Sequence, residues 1–146
     1  MTRKPLRLVL DTNVVASAIL WGGAPRQLLE SGREQSTRLF TSLPLLAELT
    51  DILGRQKFAR KIVAAERTLV QLVDGYANLA AVVRPIITPR VAPDPDDDVV
   101  VGTALAAKAH QIVTGDKAFL SIGSHQGIQV VSVANAIALL GMTRLG

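Results

Sequence analysis

The chain contains no cysteine. That excludes a disulfide framework, a thiolate-bound zinc ion and a cysteine nucleophile. Histidine is scarce as well: only His110 and His125 occur, and neither joins a recognisable constellation. The aromatic residues are Trp21, Phe40, Phe58, Tyr76 and Phe119. So thin a supply argues against base-stacking platforms as the dominant way to hold a nucleic acid. No apolar run approaches the ~20 residues of a membrane span. The stretch Leu6 to Leu10 is too short for the core of a signal peptide. No repeat, low-complexity segment or linker stands out, so the expectation is a single domain over residues 1–146, cytoplasmic and off the membrane.

What is present is a chain of 146 residues with 49% hydrophobic content and a formal charge of +4. A domain of that length buries roughly two-thirds of its unfolded surface and needs no covalent staple. The charges are unevenly spread. Four of the 12 acids, Asp94, Asp96, Asp97 and Asp98, fall within five residues. Set these aside with Asp11, Glu48 and Asp116, and the rest of the chain holds 16 Lys and Arg against five acids. A basic body around an acidic focus suits a polyanionic partner whose chemistry occurs at that focus. Taken alone, the same charge pattern more readily describes a solvated basic surface.

The hydrophobic pattern alternates between short apolar runs and helical stripes. Leu6 to Leu10, Leu39 to Thr41, Ala81 to Val83, Gln111 to Thr114 and Ile128 to Val131 read as strands. Between them, the pattern predicts a short helix from Asn13 to Leu20, broken by Trp21-Gly22-Gly23, and another opened by Pro25. Ser42 is placed as an N-cap with Pro44 in the first turn, and Gly54 stops that helix. Leu69, Leu72, Val73 and Tyr76 recur at helical spacing within a helix read over Ala65 to Asn78. Pro89, Pro93 and Pro95 mark a loop, followed by a helix from about Asp97, its cap, to Ala109. Ser132 caps a last helix that closes at Gly141. The expected fold is α/β: a three-layer α/β/α arrangement around a mainly parallel sheet.

In such sheets ligands sit beyond the carboxyl ends of the strands. Asp11 and Asp116 each follow a buried strand. Glu48 lies three residues after Leu45 and four before Ile52, beside the apolar stripe of its helix. Asp98 stands in the same relation to Val101, Gly102 and Leu105. A carboxylate beside a buried face is costly unless compensated, and two like charges ~4 Å apart repel by about 4 kcal/mol at an effective dielectric of about 20. If the four acids converge, either some protonate or a divalent cation binds among them. All-oxygen ligands select Mg²⁺ or Mn²⁺, and such a site suits phosphoryl transfer. Singly, each acid also has an ordinary reading as a turn residue, a helix cap or a solvated charge.

The ordered set resembles the PIN-domain nucleases. It consists of Asp11-Thr12-Asn13 after the first strand, Glu48, the run from Asp94 to Asp98, and Val113-Thr114-Gly115-Asp116. Within that family it is similar to the toxin components of bacterial toxin–antitoxin pairs. The likeness spans about Leu6 to Leu140, and its specificity lies in the ordered set, not in any one motif. It implies catalytic, metal-holding roles for Asp11, Glu48, Asp98 and Asp116. Thr12, Asn13 and Thr114 become positioning residues, and Asp97 shares or replaces the role of Asp98. The resemblance further implies Mg²⁺- or Mn²⁺-dependent cleavage of single-stranded RNA, a homodimer, and inhibition by a cognate antitoxin protein.

Two rival readings differ in class. A non-catalytic PIN-like scaffold for RNA or a partner has no need of four acids. A Mg²⁺-dependent phospho-receiver or aspartyl phosphotransferase needs an acidic pair or Asp-x-Asp after the first strand, where this chain has Asp11 and Asn13. Basic residues that could guide RNA are Arg55, Lys57, Arg60 and Lys61, with Arg26, Arg90 and Lys117 nearer the acids in sequence.

Overall fold

A computed structural model describes residues 4–92 and 94–145, with side chains through residue 141. Pro93, one of the three expected loop markers, lies outside the described residues. Strand β1 (Leu6–Leu10) runs through Asp11 into α1 (Thr12–Leu20), followed by α2 (Gly23–Arg33) and β2 (Thr37–Thr41). Next come α3 (Leu43–Leu53), a 3₁₀ turn (Gln56–Phe58), α4 (Ala59–Ala64), α5 (Leu69–Leu79) and β3 (Ala81–Val82). Then follow α6 (Pro95–Ala107), β4 (Gln111–Val113), α7 (Lys117–Leu120), β5 (Ser124–His125), β6 (Ile128–Val131) and α8 (Val133–Leu145).

The strands form one sheet in the order β3-β2-β1-β4-β6-β5. Every pairing is parallel except that of β5 with β6. Side chains alternate across this sheet and divide the interior into two cores. Leu8, Leu10, Leu39 and Val113 face a core shared with α1, α2, α3, α5 and α8. Val9, Phe40, Ile112 and Val130 face a second core shared with α6 and with Phe119 of α7. The arrangement is the three-layer α/β/α fold that the alternating pattern predicts. No described helix is long and apolar enough to cross a membrane.

Several elements differ locally from expectation. The helix read over Ala65 to Asn78 is interrupted: Glu66 adopts φ 57°, outside the helical region. The helical stripe starts only at Leu69, behind a capping box in which the Thr68 hydroxyl accepts from the Gln71 amide and the Gln71 side chain accepts from the Thr68 amide. Helix α6 begins at Pro95, and Asp94, not Asp97, is its cap, accepting from the Asp96 amide at 3.0 Å. Proline suits that first position because its missing N–H has no partner there anyway. Ser42 stands at the N-cap of α3, but its hydroxyl bonds the Thr103 hydroxyl at 2.8 Å instead of capping. Ser132 does accept from the Asn135 amide. Helix α8 continues past Gly141, and the two-residue edge strand β5 carries too little pattern to be read from sequence.

Candidate active site

Strand β1 has β2 on one side and β4 on the other, so the chain order reverses between β1 and β4. A crevice forms at such a reversal, beyond the carboxyl ends of the strands. Asp11 emerges there from β1 and is 5% exposed. Its amide donates to the Val113 carbonyl of β4 at 2.8 Å, and its own carbonyl accepts from Val14 and Val15 to start α1. Its carboxylate accepts from the buried Thr114 hydroxyl at 2.8 Å. That hydroxyl in turn accepts from the Asp116 amide at 3.1 Å. Thr114 therefore ties the acid after β1 to the acid after β4. Asp116 itself is exposed and caps α7 by accepting from the Ala118 amide.

The electrostatics tie further acids to this point. Burial pushes the Asp11 carboxyl above its ordinary range, against the pull of the Thr114 and Thr12 hydrogen bonds, and the charges of Asp116 and Asp94 add to the rise. Glu48, partly buried on α3, is raised first by burial and then by Asp11, Asp96 and Asp94. Asp97 is the most perturbed of the three. Burial, and then the charges of Asp11, Asp94, Asp116 and Glu48, push it up to about 7. Acids from four separate stretches of chain thus act on one another at the crevice.

Asp98 departs from expectation. One of its oxygens accepts from the Val91 and Ala92 amides at 2.9 and 2.8 Å. Its other oxygen faces the Arg90 guanidinium at 3.4 Å. Asp98 thus fastens the loop before α6, while Asp97 turns to the acids. The helical register explains this. Residues three, four and seven after Asp97 are Val100, Val101 and Ala104, all at most 1% exposed. The corresponding set for Asp98 includes Gly102, which carries the crossing backbone of Ile86. That deeper stripe was the available signal for choosing Asp97.

Among the positioning residues, Thr12 is 2% exposed, and its hydroxyl has no hydrogen-bond partner of good geometry. It is still near enough to Glu48 to favour the ionised carboxylate. Asn13 is exposed on the first turn of α1. Arg26 is not aimed at the acids: it donates to the Ala18 and Ile19 carbonyls at the end of α1.

Among the described residues, no three His, Cys, Asp or Glu side chains are arranged to hold a metal ion by themselves. The donor chemistry nevertheless suits a hard cation. The acids supply oxygen alone, and three of them resist ionisation as they stand. A carboxylate cluster short of positive charge is what a dication and its water would complete.

A family model described as PIN domain matches residues 7–118. That span holds Asp11, Glu48, Asp97, Asp98 and Asp116. Among solved structures, the chain is similar to VapBC2 from Rickettsia felis bound to a DNA fragment from their promoter. Identity is 16%, 87% of this chain and 98% of that chain are covered, and the TM-score is 0.58. A comparison with curated protein sequences yields no match.

Proposed function

This chain belongs to the PIN-domain family, and on that premise we propose that it is a metal-dependent endoribonuclease that hydrolyses single-stranded RNA, acting as the toxin of a toxin–antitoxin pair. The observation that carries this reading is the meeting at one crevice of Asp11, tied through Thr114 to Asp116, with Glu48 and Asp97, where burial, the neighbouring Asp94 and three acids from other stretches of chain push Asp97 up to about 7. A fold that gathers carboxylates it cannot comfortably ionise has a use for a cation there. Asp11, Glu48, Asp97 and Asp116 are the residues that would hold Mg²⁺ or Mn²⁺. Mg²⁺ keeps several waters and takes one or two carboxylates directly, which is compatible with acids too dispersed to enclose an ion unaided. When bound, the dication supplies charge neutralisation at the phosphate and an acidified water.

The chain's own groups do the rest. Thr114 fixes the Asp11 carboxylate by donating to it. Asp116 is fixed through its amide and its cap to α7. Glu48, with its raised proton affinity, accepts a proton from the attacking water at its carboxylate. The Thr12 hydroxyl, buried beside Glu48, steadies that carboxylate. The surrounding Lys and Arg neutralise the RNA backbone without reading sequence. In this reading the protein acts as one domain in the cytoplasm, as a homodimer, and is restrained by an antitoxin protein. The products carry a 5′ phosphate and a 3′ hydroxyl.

The test compares wild type, Asp11→Asn and Asp97→Asn on single-stranded RNA with Mn²⁺. Loss of one charge at an ion site should lower cleavage by roughly a hundredfold or more. Undiminished cleavage by both folded variants would refute the assignment. Absence of cleavage by the wild type with either metal would refute the activity.

A further inference from the structure

Two of the chain's five aromatic residues meet at the surface. Trp21 and Phe58 pack edge to face with ring centroids 5.3 Å apart, and Trp21 stays 56% exposed. The Lys61 ammonium lies 5.2 Å from the centre of the Trp21 ring, and that of Lys57 lies 5.0 Å from the centre of Phe58. Arg55 and Arg60 are exposed in the same short stretch, and no acid occurs between Ile52 and Ala65. Neither ion pair formed among the described residues, Arg33–Glu30 nor Arg90–Asp98, involves any of these four cations.

The backbone fixes where Trp21 stands. Gly22 and Gly23 follow it with φ of 77° and 63°, a sharp reversal that side chains with a Cβ rarely allow. Arg26 satisfies the last carbonyls of α1, so the helix end is closed without help from the indole. The position relative to the acids is equally defined. Helix α1 starts beside Asp11 and ends beside Trp21, a separation of about 15 Å at 1.5 Å per residue. Helix α3, packed against α1, carries Glu48 and leads directly into the 3₁₀ turn that holds Phe58. The helix that Asp11 opens and the helix that carries Glu48 therefore both lead to aromatics.

We propose that the Trp21–Phe58–Lys57–Lys61 cluster binds single-stranded RNA beyond the point of cleavage, one base stacking on Trp21 and the phosphates meeting the cations. This rests on the ribonuclease reading and extends it to how much substrate the protein holds. Aromatic faces accept any base while cations follow the backbone, the combination that single-strand binders use. Four cations without an intervening acid complement a polyanion. The centre of a protein–protein interface is instead depleted of lysine, of which this cluster holds two. The composition excluded stacking as the dominant means of binding, and one platform is consistent with that. At the stacked spacing of ~3.4 Å per nucleotide, the ~15 Å separation spans about four nucleotides. A trinucleotide reaches only the acids or only the cluster, whereas a longer strand reaches both.

Trp21 is the sole tryptophan, so emission excited at wavelengths too long for tyrosine reports on the cluster alone. The probes are a uridine trinucleotide and an oligouridylate of about 12 nucleotides, titrated into the full chain with Ca²⁺ in place of Mg²⁺ or Mn²⁺, which neutralises the acids without supporting cleavage. The long strand should quench Trp21 and bind roughly tenfold tighter than the trinucleotide. The Lys57→Ala/Lys61→Ala double variant should lose that advantage, and its log-affinity against log-salt slope should shrink by about 1.4. Trp21→Phe should keep most of the advantage and Trp21→Leu lose it, with circular dichroism confirming that each variant is folded. Long-strand binding that leaves Trp21 fluorescence unchanged overturns the proposal. So does quenching by an acidic amphipathic peptide but not by RNA, which makes the surface a protein dock. Cleavage with Mn²⁺ is scored separately. Cleavage without quenching removes the platform and leaves the nuclease. Quenching without cleavage leaves an RNA-binding surface and removes the nuclease.

Discussion

Neighbouring aspartates on α6 serve opposite purposes, and substitution should separate them. Asp97 is a carboxyl that folding makes harder to ionise, with a proton affinity raised from 3.8 to about 7. Between those values the folded chain binds more protons than the unfolded one, so stability must fall as pH rises through that window and level off above it. Thermal melts of metal-free protein from about pH 4 to about pH 8 should show Tm declining towards neutrality, and Asp97→Asn should flatten the decline. A Tm that rises across the window would contradict the clustering of acids around Asp97. Asp98, in contrast, satisfies two backbone amides. Asp98→Ala should cost about 2 kcal/mol in urea unfolding through those orphaned donors, with no gain in neutral-pH stability. In sequence the two residues are adjacent and chemically identical. Of the acids at the crevice, Asp11, Glu48, Asp97 and Asp116 were legible there as candidates. The choice between Asp97 and Asp98 had one local signal, the apolar stripe of Val100, Val101 and Ala104 behind Asp97, while the loop that crosses α6 and occupies Asp98 is not encoded in local spacing.

That crossing makes one glycine indispensable at the scale of elements. The Ile86 amide donates to the Gly102 carbonyl at 3.0 Å, and a Cβ at position 102 would lie 2.2 Å from the Ile86 carbonyl oxygen. The obstacle is backbone, which cannot rotate aside as a side chain can. Gly102→Ala should therefore destabilise by about 1–3 kcal/mol despite its better helix propensity, measured by equilibrium urea unfolding. A neutral or stabilising result would mean that the 84–92 segment does not rest on α6. Because the same segment ends at the amides held by Asp98, Gly102→Ala should also loosen the start of α6, where Asp97 sits. The elements themselves were largely readable: β1, β2, α3, β4 and β6 follow from apolar runs and turn residues. The start of α5 was not, because Glu66 takes a left-handed turn that hydrophobic spacing does not report. The pair β5–β6 was half legible, since a two-residue edge strand owes its pairing to its neighbour and not to its own pattern.

Taken as a whole, the molecule places its acids where the parallel sheet reverses order, between β1 and β4, and leaves the remaining surface basic. The α/β class followed from alternation of strand and helix, but strand order did not, because parallel pairing is set by crossovers between distant segments. Only with β4 beside β1 does Thr114 reach Asp11 across 103 residues of chain. This long-range pairing exists in the folded state alone, so a cation that needs acids from both segments binds the native chain and not the unfolded one. Binding must then stabilise folding by mass action, by about 2.7 kcal/mol at a hundredfold excess of free ion over Kd. For a chain of this size that corresponds to a rise in Tm of about 8 °C. Melts of the wild type at neutral pH with increasing Mn²⁺ should show this rise, and Ca²⁺, with its preference for more ligands at longer distances, should give less. Thr114→Val removes the hydroxyl that links the two strand ends while preserving shape. It should lower the apparent Mn²⁺ affinity by roughly tenfold or more, without abolishing the response as Asp11→Asn does. Equal Mn²⁺ shifts in the wild type, Thr114→Val and Asp11→Asn would place the ion elsewhere and separate the acidic crevice from any metal chemistry.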